Sequence, residues 1–159
     1  MLKKLELPIE IYSDRKELCG EDFNLITKAQ EARKLAYAKY SNFKVGAAVL
    51  LDNGKIISGN NQENAAFPSG LCAERTAVFY AMANYPLSRI VKLAVVAGKD
   101  DNNAEPVSPC GSCRQVLLEY EKNQKTSIEL LFSGTKGEVI KFFSCADLLP
   151  FSFDEKNLK

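Results

Sequence analysis

Cys110 and Cys113 lie in Pro109-Cys110-Gly111-Ser112-Cys113-Arg114-Gln115, separated by two residues, so both thiols can grip one metal ion from the first turn of a helix. A third thiol, Cys72, opens Cys72-Ala73-Glu74-Arg75 upstream and completes a three-ligand set. Zinc with three protein ligands keeps its fourth position for water or substrate, and Glu74, two residues from a ligand, is placed to move that water's proton. A lone Cys-x-x-Cys would equally suit a redox dithiol or half of a four-thiolate structural site. A redox pair has no use for a third cysteine beside a glutamate, and a structural site has no use for the glutamate. The sequence contains no histidine, so the ligand set must be all sulfur. These residues point to catalysis at one zinc ion per chain.

The thiols need elements that bring them together. From Asp22 or Asn24, either of which could cap a helix, Leu25, Ile26, Ala29, Ala32 and Ala36 recur at helical spacing to about Lys39. Val45 to Leu51 is an apolar run, Asn53-Gly54 predicts a two-residue hairpin turn, and Lys55 to Ser58 returns antiparallel. A second helix runs from Cys72 to Ala83 with Ala73, Ala77 and Ala81 on one stripe, ended by Asn84-Tyr85-Pro86. Ile90 to Ala97 reads as a central strand covered on both faces. A surface loop over 98–108 leads to a third helix from Pro109-Cys110-Gly111 to about Glu121, then a strand over Ile128 to Phe132. Gly134 to Gly137 is too short for a parallel crossover, so Val139 to Phe143 returns antiparallel.

This order predicts an α/β fold, a three-layer α-β-α sandwich with a mixed five-stranded sheet over a single domain, 1–159. Both thiol-bearing helices flank the central strand, with N-termini whose dipoles favour thiolate over thiol. Residues 1–20 form an extension of uncertain structure. In it Leu5, Leu7, Ile9 and Ile11 alternate with polar residues and suit a short strand, which Pro8 confines to a sheet edge.

The 159 residues are 46% hydrophobic, as in a globular domain with a real core. Basic and acidic residues nearly cancel, 21 against 20, so the overall field recruits neither nucleic acid nor an anionic membrane, and a small neutral substrate suits it better. No apolar run approaches the roughly 18 residues that span a bilayer, and no signal-peptide apolar region follows Met1, which predicts a cytoplasmic chain. Five cysteines, an odd number, do not suggest a disulfide framework. Cys19 and Cys145 remain as ordinary thiols, expected to be small buried hydrophobes.

Together these segments resemble the zinc-dependent cytidine deaminases of the small homotetrameric, three-cysteine kind. The resemblance runs through Asn42-Phe43-Lys44-Val45-Gly46-Ala47-Ala48, Asn61-Gln62-Glu63-Asn64-Ala65-Ala66, Cys72 to Ala77, Pro109 to Gln115 and Leu148-Leu149-Pro150-Phe151-Ser152-Phe153. Residues 1 to about 20 and the loop Lys99 to Glu105 have no counterpart in it. The resemblance implies hydrolytic deamination of cytidine and deoxycytidine to uridine and deoxyuridine plus ammonia, with Cys72, Cys110 and Cys113 on zinc and Glu74 as proton shuttle. It implies Asn61 and Glu63 as the pair holding the ribose hydroxyls, with Phe43, Ala73 and Phe153 completing the substrate site. Phe153 would reach a neighbouring subunit's pocket in a homotetramer with shared active sites. Three thiolates on one divalent ion leave the site with net negative charge, and the resemblance points to Arg75 as the cation that offsets it, oriented by Gln115, with Arg114 a further candidate.

Two other functions use the same residues. One is deamination of a related aminonucleoside, against which the Asn61-Gln62-Glu63 pair argues. The other is a non-catalytic zinc-stabilised module in which Cys19 or Cys145 supplies a fourth thiolate.

Overall fold

Strand period and helix period sort the apolar residues onto two faces of one sheet. The computed structural model describes residue 2 and residues 4–158. In chain order the elements are β1 (Ile9–Tyr12), α1 (Gly20–Lys34), β2 (Lys44–Leu51), β3 (Ile56–Asn60), α2 (Ala73–Asn84), β4 (Ile90–Gly98), α3 (Gly111–Gln124), β5 (Glu129–Ser133) and β6 (Val139–Phe142). The strands lie in the order β1-β6-β5-β4-β2-β3. β4 and β5 are parallel and every other neighbouring pair is antiparallel, so the sheet is mixed as expected.

The sheet has six strands where the sequence predicted five. The sixth is β1, paired antiparallel to β6 from Ile9↔Phe142 to Tyr12↔Val139. It lies at an edge and begins immediately after Pro8, whose missing N–H cannot donate to a ladder.

Along β2 the side chains alternate. Ala47, Val49 and Leu51 join a core with Ala73, Ala77 and Ala81 of α2 and Leu117 of α3, while Ala48 and Leu50 join another with Leu25, Ile26 and Ala29 of α1. One helix on one face and two on the other make the three layers. Gly59 of β3 sets the seat of α2, since a Cβ there would lie 2.5 Å from the Ala77 nitrogen and 2.9 Å from the Ala73 carbonyl oxygen. The first turn of α2 therefore rests backbone against backbone on the sheet.

Four local expectations change. α1 ends at Lys34, not near Lys39, because the chain leaves the helix to pair: the Tyr37 N–H donates to the Asn61 carbonyl at 3.0 Å and the Tyr37 carbonyl accepts from Glu63 N–H at 2.9 Å. The β2–β3 hairpin turns over residues 52–54, with only Gly54 at positive φ (80°) and the Leu51 N–H donating to the Lys55 carbonyl at 2.9 Å. That is the longer hairpin loop with a left-handed glycine, not a two-residue turn. Cys145 is buried in the core as expected, but Cys19 is exposed at the head of α1.

Asp22 does not cap a helix. It lies buried within α1 and accepts from Lys92 Nζ of β4 at 2.7 Å and Lys141 Nζ of β6 at 2.8 Å, with Glu129 bridging both lysines. Burial pushes the Asp22 carboxyl up, but the bonds from Lys141 and Lys92 outweigh it and hold the group below the usual carboxylate range. This network pins α1 across the sheet.

Candidate active site

Cys72 and Cys110 occupy equivalent places, each the residue immediately before its helix, with extended backbone and no capping bond from the side chain. Their sulfurs are thus left to face one another between two helix starts, and Cys113 adds its own from the first turn of α3. Cys72 Sγ lies 3.8 Å from Cys110 Sγ, and Cys110 Sγ lies 3.6 Å from Cys113 Sγ. Sulfurs at about 2.3 Å from a tetrahedral zinc would be about 3.8 Å apart, so the donor set and its spacing fit that ion. Among the described residues this is the one cluster of three metal-ligating side chains, and neither Cys19 nor Cys145 belongs to it. A fourth thiolate, and with it the purely structural site, is not supplied.

The electrostatics favour a thiolate at Cys72, with the Cys113 thiol as its hydrogen-bond donor. Hydrogen bonding with the Cys113 thiol, aided by the Arg75 guanidinium, holds Cys72 down to about 5, while that same bond and burial push Cys113 up. Arg75 Nη2 donates to Cys72 Sγ at 3.4 Å, which places a cation on the sulfurs. Glu74 is only 4% exposed on the first turn of α2, and burial pushes its carboxyl above the ordinary range, with the Cys72 charge adding to the effect.

A cavity of about 220 Å³ opens on these groups, lined by Phe43, Asn61, Cys72, Glu74, Val107 and Cys110 among others. Beside it a groove of about 490 Å³ is lined by Asn61, Glu63, Cys72 and Arg75. The structure therefore brings Phe43, Asn61 and Glu74 to one cavity, and Glu63 to the adjoining groove. Ala73 is buried at the start of α2.

The polar pair is already engaged. The Asn61 side-chain oxygen accepts from the Val45 N–H at 2.8 Å and its nitrogen donates to the Phe43 carbonyl at 2.9 Å. Glu63 accepts from the Tyr40 N–H at 2.7 Å and from the Ser41 hydroxyl, and those bonds lower its carboxyl below the usual range. Both residues thus fix the 40–45 segment that carries Phe43. An amide can make four bonds, and a carboxylate offers about four acceptor sites, so each keeps capacity for a ligand.

Gln115 is not bonded to Arg75; its amide donates to the Phe153 carbonyl at 3.0 Å and holds the C-terminal segment against α3. Phe153 itself is 59% exposed and does not reach this chain's cavity lining. Arg114 bonds not to a sulfur but to Ser108, Pro109 and Leu148. Sequence reasoning missed Val95, Val107 and Ser108 in the cavity wall. Val95 reads as core within an apolar strand, but Val107 and Ser108 immediately precede Pro109-Cys110, and that proximity to a ligand was the available signal.

An open α/β sheet with three thiolates and a buried carboxylate at two helix starts defines a metal-dependent hydrolytic enzyme. The profile of the cytidine and deoxycytidylate deaminase zinc-binding region matches residues 20–128. The cytidine deaminase of Sporosarcina psychrophila is 42% identical over 134 residues, covering 84% of this chain and 92% of that one. That of Halalkalibacterium halodurans is 38% identical over 134 residues, covering 84% and 95%. The crystal structure of cytidine deaminase from Burkholderia pseudomallei superposes with a TM-score of 0.71 at 42% identity, covering 82% of this chain and 97% of that one. The chain belongs to the zinc-dependent cytidine and deoxycytidylate deaminase family. It is a hydrolytic deaminase with zinc as its cofactor.

Proposed function

We propose that this enzyme deaminates cytidine and deoxycytidine to uridine and deoxyuridine, releasing ammonia, in pyrimidine salvage. The observation that carries the reading is the sulfur triangle, with edges of 3.6 and 3.8 Å, two of whose cysteines line one cavity with the buried Glu74. Cys72, Cys110 and Cys113 hold zinc, which when bound supplies Lewis-acid activation of water. Glu74 takes one proton of the attacking water and delivers it to N3 of the pyrimidine as the C4–O bond forms; it then takes the remaining proton from the new C4 hydroxyl and passes it to the amine, so that the C4–N bond breaks, ammonia leaves and C4 becomes a carbonyl. Arg75 offsets the negative charge of the thiolates, and Phe43 lines the base pocket. Purified enzyme should remove the long-wavelength ultraviolet absorbance that distinguishes cytidine from uridine and release one ammonia per uridine; absence of turnover on both nucleosides would overturn the reading. The site is built from thiols that must stay reduced, and all five cysteines are free, which supports a cytoplasmic location.

Asn61 and Glu63 hold the sugar hydroxyls with the bonding capacity their backbone contacts leave. A site matched to hydroxyls discriminates against a ligand lacking them, because its polar groups are left unpaired. Glu63→Ala should therefore lower kcat/KM for cytidine at least about tenfold more than for free cytosine. An equal loss on both would reduce Glu63 to a support for Ser41 and Tyr40.

The working assembly is a homotetramer whose sites are completed by Phe153 of a neighbouring subunit. What supports this is aromatic surface that one chain leaves uncovered: Phe151 fully exposed, Phe153 largely so, and Phe67 and Tyr40 in an edge-on pair at the groove. Aromatic packing on a bound ring contributes about 0.5 to 1.5 kcal/mol beyond area burial, so Phe153→Ala should raise KM several-fold with zinc content unchanged. Light scattering should show four chains, and mixing Phe153→Ala with Glu74→Gln subunits should restore part of the activity. A fully active monomer at nanomolar concentration would dispose of the assembly.

A further inference from the structure

Arg114 follows Cys113, yet its guanidinium fork bonds to three oxygens and to no sulfur. Nε donates to the Pro109 carbonyl at 2.8 Å, Nη2 to the Ser108 hydroxyl at 2.8 Å and Nη1 to the Leu148 carbonyl at 3.1 Å. Two of these acceptors belong to the residues leading into Cys110. The third ends the 3₁₀ turn Cys145–Leu148, from which the chain runs on to Phe153. Val107 and Ser108 line the same cavity as Glu74 and Cys110. Residues 101–109 form no helix or strand, so no backbone ladder fixes this wall. Upstream, Asn103 is tied to the sheet through Ala97 and Thr135, but at 108–109 the side-chain anchor is Arg114.

We infer that Arg114 is a positioning residue: it fixes the 107–109 wall of the base cavity and locks that wall to the C-terminal segment, without touching substrate or metal. The inference rests on the deaminase reading for its kinetic consequence, though not for the clamp itself. Only arginine fits, because three acceptors in different directions match a planar fork, and a lysine ammonium at the end of a flexible stem cannot reproduce it. A loosened wall weakens contacts made to the base before and during reaction, so the loss falls on KM more than on kcat.

The test compares Arg114→Ala and Arg114→Lys with the wild type in steady-state kinetics on cytidine, zinc content and limited proteolysis. The alanine variant should raise KM about tenfold while retaining zinc and most of kcat. Proteolytic cleavage within 103–108 should become about tenfold faster or more. Arg114→Lys, which keeps stem and charge, should fall between, and it carries the test if the alanine variant does not fold. A folded variant with unchanged KM and unchanged cleavage overturns the inference. So does a variant whose only defect is a lower melting temperature or a smaller active fraction. Wild type inactive on cytidine would instead refute the proposed function, while cleavage at 103–108 would still report on the clamp.

Discussion

Glu74→Gln should keep a full complement of zinc and lose at least about 10² to 10⁴ of its turnover of cytidine. Glutamine has nearly the shape of glutamate, so the packing around a side chain 4% exposed is retained and the first turn of α2 keeps its seat on Gly59. What disappears is the carboxylate, the one buried acidic group lining the cavity with Cys72 and Cys110. Removing a positioned acid–base group costs that range because the proton must then travel without a relay. Metal analysis beside single-substrate kinetics decides the matter. Near wild-type turnover would mean that another group moves the proton, and the cavity lining holds no other carboxylate to take its place.

The second large effect concerns the sulfurs. Cys110→Ser or Cys113→Ser should lose zinc and, with it, soluble protein, since the ion joins the starts of α2 and α3 and metal-binding free energy is then folding free energy. Cys145→Ser provides the contrast. That thiol is buried in the core, outside the cluster, and burial pushes it well above its ordinary range, so serine there should cost packing but no metal. Full zinc in Cys110→Ser, or loss of zinc in Cys145→Ser, would overturn the ligand assignment.

The reach of the sequence followed the range of the interactions. The sulfur ligands were legible because Cys-x-x-Cys at a helix start is a local pattern, and β2 and β4 because buried strands are continuous apolar runs. The end of α1 was not, since Tyr37 abandons the helix for Asn61 and Glu63, partners defined only once β3 is in place. Asp22 looked like a cap because its two lysines come from strands 70 and 119 residues away. Gln115 was expected beside Arg75, but its acceptor is a backbone carbonyl 38 residues on, and carbonyls carry no signature in a sequence. The link from Arg114 to the Leu148 carbonyl was hidden for the same reason.

The close seat of α2 on Gly59 reaches beyond packing. With the helix start fixed by backbone contact, Cys72 is presented to Cys110 and Cys113 at a high effective concentration. A metal ion that breaks one sulfur bond would stay within reach of that sulfur, so loosening the seat, as Gly59→Ala would, should speed loss of zinc to a chelator.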